Sequence, residues 1–188
     1  MRTPVLFTMI LIFATSCLSI DSQKEDTPVL EELYAYDVEA KVAELGITLT
    51  EPSPPVANYV NAVRTGNLVF MAGKGPTRAD GTRVTGKVGA DLTVAEGYEA
   101  AKLVAQAQLS ALKAEIGDLN KVVRIVKVLG MVNCTPEFGN QPEVINGFSD
   151  TMVEIFGERG KHARAAVGMG SLPRDIAVEI EMIVEVQE

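Results

Sequence analysis

The chain has 188 residues, 47% hydrophobic and 22% charged, which suits one compact domain with an adequate core. Its 25 acidic against 17 basic side chains give a net charge of −8, a field that repels polyanions. With no Trp and no basic stripe interleaved with aromatics, the electrostatic footprint of a nucleic-acid binder is missing.

Arg2, the apolar run Val5 to Ala14 and the small residues Ala14, Thr15 and Ser16 have the form of an export signal. The run is too short for a transmembrane helix, which needs roughly 20 apolar residues. Ala14-Thr15-Ser16-Cys17 is similar to a lipoprotein lipobox with Cys17 as the acylated residue, and Ala14-x-Ser16 also fits an ordinary signal-peptidase site. Residues 1–17 are therefore read as a signal peptide, 18–32 as a polar linker and 33–188 as the domain. The expected location is the periplasm or cell envelope, with membrane contact only through such an N-terminal lipid. Cys134 is then a lone thiol and is expected to be a small buried hydrophobe.

Leu33 to Leu45 carries an amphipathic spacing stopped by Gly46 and predicts a helix. Asn58 to Arg64 and Leu68 to Ala72, separated by Thr65-Gly66-Asn67, predict a β-hairpin. Thr93 with Glu96 forms a capping box, and Val94, Tyr98, Ala101, Ala105, Leu109, Leu112 and Ile116 keep one helical stripe up to Gly117. Val122 to Val132 is nearly continuously apolar, as in a strand covered on both faces. Asn140, Pro142 and Glu143 open a second helix with its stripe on Ile145, Phe148, Met152 and Ile155, closed by Gly157. Ala163 to Met169 and Ile176 to Val186 are strands; the last has apolar residues at even positions and Glu179, Glu181 and Glu185 opposite.

This order implies an α+β domain with its helices on one sheet face. Gly73-Lys74-Gly75-Pro76 lacks the further glycines of a nucleotide-binding loop, so no nucleotide cofactor is indicated. There is no CxxC, no HExxH and one histidine, His162, so a zinc site or a Cys-His nucleophile lacks its parts. No G-x-S-x-G is present, and no Ser is expected to have a His behind it.

Ala163-Arg164-Ala165-Ala166-Val167-Gly168-Met169-Gly170-Ser171-Leu172-Pro173 followed by Val178-Glu179-Ile180 resembles the C-terminal signature of the Rid (reactive intermediate deaminase, YjgF-like) family. Asn58 to Val63 resembles its first strand, and Phe70 to Pro76 its second strand and Gly-x-x-Pro turn; the similarity covers most of Pro52 to Glu188. The resemblance implies a chorismate-mutase-like α+β domain, a mixed sheet with two main helices on one face, assembled as a homotrimer with clefts between subunits. It also implies hydrolysis of enamines and imines, such as 2-aminoacrylate, to 2-keto acids and ammonia, without metal or organic cofactor.

By the same carry-over Arg164 holds the substrate carboxylate with its planar guanidinium. Glu179, placed beside it, orients or deprotonates the attacking water. Tyr59 of a neighbouring subunit closes the cleft, and Gly73 and Asn146 lie near the ligand. Ala166 stands where deaminase members carry a cysteine, and Lys74 where they carry Gln. These departures motivate a second reading, a non-catalytic trimer that binds small carboxylates. Nucleic acid is not an expected partner, and the ribonuclease activity attached to some relatives runs against the acidic composition.

Overall fold

The computed structural model describes residues 32–55 and 57–187. The expected export signal, Cys17 and nearly all of the expected linker lie outside them. Glu31–Glu188 form one compact unit. Among the described residues no helix is long and apolar enough to cross a membrane.

The first helix, α1 (Val38–Glu44), is shorter than the spacing predicts. Asp37 caps it by accepting from Glu39 N and Ala40 N. The residues before it instead form a clasp: Tyr34 OH donates to Val122 O at 2.6 Å, Tyr36 OH donates to Ile155 O at 2.8 Å, and the Arg159 guanidinium sits 5.7 Å over the Tyr34 ring. Tyr34 and Tyr36, both within the expected helix, are therefore anchors of an irregular segment.

The hairpin comprises β1 (Ala62–Thr65) and β2 (Leu68–Lys74), turning through Gly66 at φ 57°. Its first strand starts four residues later than expected. The helix α2 (Val94–Ile116) begins at the capping box, with Thr93 Oγ1 accepting from Glu96 N and Glu96 accepting from Thr93 N, and ends at Gly117. Next come β3 (Val122–Asn133), α3 (Gln141–Phe156), β4 (Ala163–Met169) and β5 (Val178–Val186). The sheet order is β1-β2-β5-β3-β4, with β3 and β4 parallel and all other pairs antiparallel. The last strand thus sits in the middle of the sheet, separating the hairpin from β3.

Both long helices cover one face, the α+β arrangement expected. Val69, Met71, Ile125, Val128, Ile180, Met182 and Val184 of the sheet meet Leu109, Leu112, Ile145, Phe148 and Met152 of the helices. Fully burying each such side chain stabilises by about 1.5–3 kcal/mol. Gly147 lets α3 approach the α2 backbone, since a Cβ there would stand 2.1 Å from Tyr98 O.

The opposite face of the sheet is open. Val63, Phe70 and Val167 are exposed there, and so are Arg124 and Lys127. The expectation that Val122 to Val132 is covered on both faces is corrected for the single chain. From Val128 to Val132 its burial alternates, and the apolar residues of the uncovered side, Leu129 and Met131, are only partly buried. An apolar patch rimmed by charge is the signature of a protein contact surface.

Candidate functional site

Arg164 lies on β4 opposite Val128 of β3, a core residue, and so faces the helices. Its Nη1 donates to Asn146 Oδ1 at 2.8 Å and to Ser149 Oγ at 3.0 Å. Asn146 and Ser149 are three apart on α3 and share one helix face, which is why one guanidinium edge reaches both. The other N–H groups of Arg164 have no protein acceptor among the described residues. A planar fork fixed along one edge and free along the other is prepared for a carboxylate.

His162 extends this network. Its Nδ1 is 2.7 Å from Gly160 O, and a carbonyl only accepts, so Nδ1 carries the proton. Burial pushes the imidazole pKa down, the hydrogen bond to Gly160 opposes this and the Arg164 charge adds to the lowering; in the neutral ring with Nδ1 protonated, Nε2 accepts from Ser149 Oγ at 3.0 Å. The chain Arg164 to Ser149 to His162 to Gly160 orients each donor in turn. The expectation that no Ser is backed by a His is corrected. Ser149 and His162 come from different elements and meet only through packing of α3 on β4.

The second cluster lies in a cleft of about 550 Å³ beside the end of β2. Tyr59, Asn61, Gly73, Lys74, Arg174 and Glu179 are among its lining. The pairing of β2 with β5 is irregular between Met71 and Lys74. Gln108, fully buried on α2, supports the irregularity by donating from Nε2 to Ala72 O at 3.0 Å and to Ile180 O at 2.7 Å. Glu179 folds over Gly73, where a Cβ would come within 2.3 Å of its Oε1. Burial, and then the neighbouring Glu181, push the Glu179 carboxyl pKa up. Burial pushes the Lys74 ammonium pKa down, and Lys74 Nζ donates to Asn61 Oδ1.

Within one chain the structure therefore brings Asn146 to Arg164, and Tyr59 and Gly73 to Glu179, but not Arg164 to Glu179. The expectation that Glu179 sits beside Arg164 on an adjacent strand is corrected, since β3 runs between β4 and β5. Val128, opposite Arg164, and Met131, opposite Glu179, are three apart on β3 and project to opposite faces. Tyr59, which the resemblance assigns to a neighbouring copy, is 52% exposed and shares its own chain's cleft with Glu179. Ser149, Gln108 and Arg174 were not singled out from sequence. The spacing of Asn146 and Ser149 was a signal available for the first; nothing local marked the other two.

No group of three or more His, Cys, Asp or Glu side chains among the described residues is placed to hold a metal ion. Cys134 is buried and free, packed beside Gly168 and Gln141.

Comparison with known proteins adds three findings. The family model described as "YjgF/chorismate_mutase-like, putative endoribonuclease" matches residues 39–185. Protein TCP17 of Trypanosoma cruzi is 42% identical over 149 residues, 79% of this chain and 93% of that protein, and a RutC family protein of Pyrococcus abyssi is 32% identical over 140 residues, 73% and 94% of the two chains. The crystal structure of an Agrobacterium tumefaciens protein of unknown function is 45% identical with a TM-score of 0.74, covering 80% of this chain and 94% of that one.

Proposed function

The chain belongs to the YjgF/chorismate-mutase-like, or Rid, family, and from that premise we propose that it is an imine and enamine deaminase whose site is completed between copies of the chain. The observation that carries this reading is Arg164, pinned along one edge by Asn146 and Ser149 with its remaining N–H groups free. A 2-imino acid offers a carboxylate that matches this fork, each charge-assisted hydrogen bond contributing about 1.5–3 kcal/mol.

The chemistry asks for one water molecule and one base. The enamine tautomerises to its imine, and water adds to the imine carbon while Glu179 takes the proton. Glu179 passes that proton to the nitrogen, giving the carbinolamine, and then takes the carbinol O–H proton and passes it to the amine, so that the C–N bond breaks with loss of ammonia and the oxygen becomes the carbonyl of the 2-keto acid. Half-burial and a raised pKa keep the Glu179 carboxylate basic, suited to accept that proton and return it to the leaving nitrogen.

Arg164 and Glu179 project to opposite faces of their own sheet, so the pair is assembled by a neighbour. Arg164 and Asn146 come from one copy; Tyr59, Gly73 and Glu179 from the next. The exposed Val63, Phe70 and Val167 on the uncovered sheet face supply apolar area for such packing, and a closed trimer uses that face on every copy. Export places the activity in the periplasm or cell envelope.

Generating 2-aminoacrylate in place with a dehydratase and following keto acid and ammonia tests the reading. Acceleration above the buffer rate that disappears in Arg164→Ala is the expected result; a wild-type rate equal to buffer refutes it. The half-buried Lys74 and the small Ala166 favour one alternative, a trimer that binds small carboxylates without turning them over. That alternative requires 2-keto acid binding, dependent on Arg164, with no acceleration of any imine.

A further inference from the structure

We infer that the cleft beside Glu179 is a second anion site, formed by Lys74, Arg78, Arg83 and Arg174, which selects imino acids bearing an anionic group beyond the α-carboxylate. The inference deepens the deaminase reading and rests on it for the identity of the reacting carbon.

The charge distribution is the first argument. The chain is acidic overall, at −8, yet this cleft is lined by four cationic side chains against two carboxylates, Glu51 and Glu179. Among the described residues the ion pairs are Lys41 with Glu44, Lys102 with Glu99, Lys113 with Glu39 and Lys161 with Glu158. None of these lysines lines the cleft, and none of the four cleft cations forms an ion pair, although the Asp80 carboxylate, outside the lining, interacts electrostatically with Arg78. On a chain with 25 acids to choose from, leaving Lys74, Arg83 and Arg174 without an ion pair around one cavity is an arrangement that an incoming anion completes.

Lys74 is the innermost of these groups. It is half-buried, and its ammonium meets only the neutral side-chain oxygen of Asn61. A partly desolvated cation without a counter-charge is unfavourable, and an anion placed beside it relieves that cost. Burial also holds its pKa below the ordinary lysine value, which a bound anion would reverse.

Arg174 is the second argument, because its backbone is held in a conformation that L residues avoid. Arg174 and Asp175 have φ of 57° and 58°, two consecutive non-glycine residues in the left-handed region. Several bonds enforce this turn: Asp175 N donates to Leu172 O at 3.1 Å, Gly86 N donates to Asp175 O at 2.8 Å, and Asn133 Nδ2 donates to Asp175 Oδ1 at 2.8 Å. Asn133, itself fully buried, is fixed in turn by Lys87 Nζ, which donates to its Oδ1 at 3.0 Å. This network holds the turn that puts Arg174, an exposed side chain, in the lining of the same cleft as Lys74.

Space is the third argument. A cleft of about 550 Å³ far exceeds what a three-carbon enamine occupies, and its lining includes the four cationic side chains. A substrate held by Arg164 at its α-carboxylate and attacked beside Glu179 would extend its far end toward Lys74 and Arg174.

The test uses the full chain and pairs turnover with binding. Imines of glutamate and alanine, generated in place by amino-acid oxidases, are compared in wild type and in Lys74→Gln/Arg174→Asn, Asn being chosen because it tolerates a positive φ. The expected ratio of kcat/KM, glutamate-derived over alanine-derived, is roughly tenfold or more, the size of one charge-assisted contact, and it collapses toward unity in the double variant. Calorimetry with 2-oxoglutarate and 2-oxobutanoate reads the same site without turnover, expecting tighter binding of the dianion that the double variant loses. Binding of 3-phosphonopyruvate tighter than 2-oxoglutarate keeps the anion site and assigns it to a phosphate-like group.

Turnover of both imines at equal kcat/KM, with equal binding of both keto acids, overturns the anion site and leaves the deaminase reading standing. Lys74-dependent binding of 2-oxoglutarate without turnover of any imine does the reverse. Circular dichroism of the double variant establishes that any loss arises in a folded protein.

Discussion

Replacing Gly73 by Ala tests the geometry of Glu179 with a single methyl group. A Cβ at Gly73 would lie 2.3 Å from Glu179 Oε1 and 3.1 Å from its Cδ, so the carboxylate must retreat by about 1 Å to reach ordinary contact. Gly73 has no positive φ, so alanine meets no backbone strain, and its only close neighbour is the end of a flexible side chain. The fold should therefore lose less than about 1 kcal/mol, while a base displaced by roughly 1 Å lowers the rate by about 10²-fold. The assay is kcat for imine hydrolysis together with thermal denaturation, for Gly73→Ala, Glu179→Gln and the pair. If the methyl acts by moving the carboxylate, it has no further effect once Glu179 is Gln. A near wild-type kcat in Gly73→Ala, or the same fractional loss in the Gln background, refutes the placement of Glu179 as the base.

Arg164→Lys keeps the charge but loses the fork held between Asn146 and Ser149; KM for the imino acid should rise roughly 10- to 100-fold, and an unchanged KM would contradict a bidentate anchor. The pH dependence has two signs. Glu179 has a raised pKa, so activity should rise across the interval from the ordinary carboxylate value to the raised one, while its contribution to stability falls across that same interval; a rate flat through it would remove Glu179 as the titrating base. His162 has a lowered pKa, so its contribution to stability is fully present above the unfolded-state value near 6.5 and lost as pH falls through the folded value, and His162→Gln should flatten that part of the unfolding profile. Gly147→Ala would place a methyl 2.1 Å from the Tyr98 carbonyl oxygen, a backbone atom that moves only if α2 and α3 separate; a loss of about 1–3 kcal/mol in denaturant unfolding is expected, and no loss would mean the helices are not held so closely.

Long periodic elements were legible in the sequence because their cause is local. Thr93 and Glu96 cap α2 as the spacing predicts, and the even positions of β5 are buried while Glu181 is exposed. The clasp of Tyr34 and Tyr36 was not legible, since their partners Val122 and Ile155 lie more than 80 residues away and turn an amphipathic spacing into an anchored irregular segment. The apolar run of β3 could not reveal that one face is open, because a strand awaiting a partner reads the same as one already covered.

The motif named the candidate residues, but their mutual placement was not legible in it. Insertion of β5 between β2 and β3 is a long-range event, and it separates Arg164 from Glu179 although their strands follow one another in the chain. Gln108 illustrates the same limit. It lies within the apolar stretch of α2, and only the fold shows that its amide secures the irregular end of β2 against β5.

The central claim, that Arg164 and Glu179 act together across a contact between copies, is tested most directly by subunit complementation. Arg164→Ala and Glu179→Gln, each inactive alone, are unfolded together at equal concentration, refolded and assayed for imine hydrolysis. Random closed trimers would regenerate one intact site in each mixed assembly, so activity should return to about a quarter of wild type. Mixed assemblies that stay as inactive as either parent would contradict a site built from two copies.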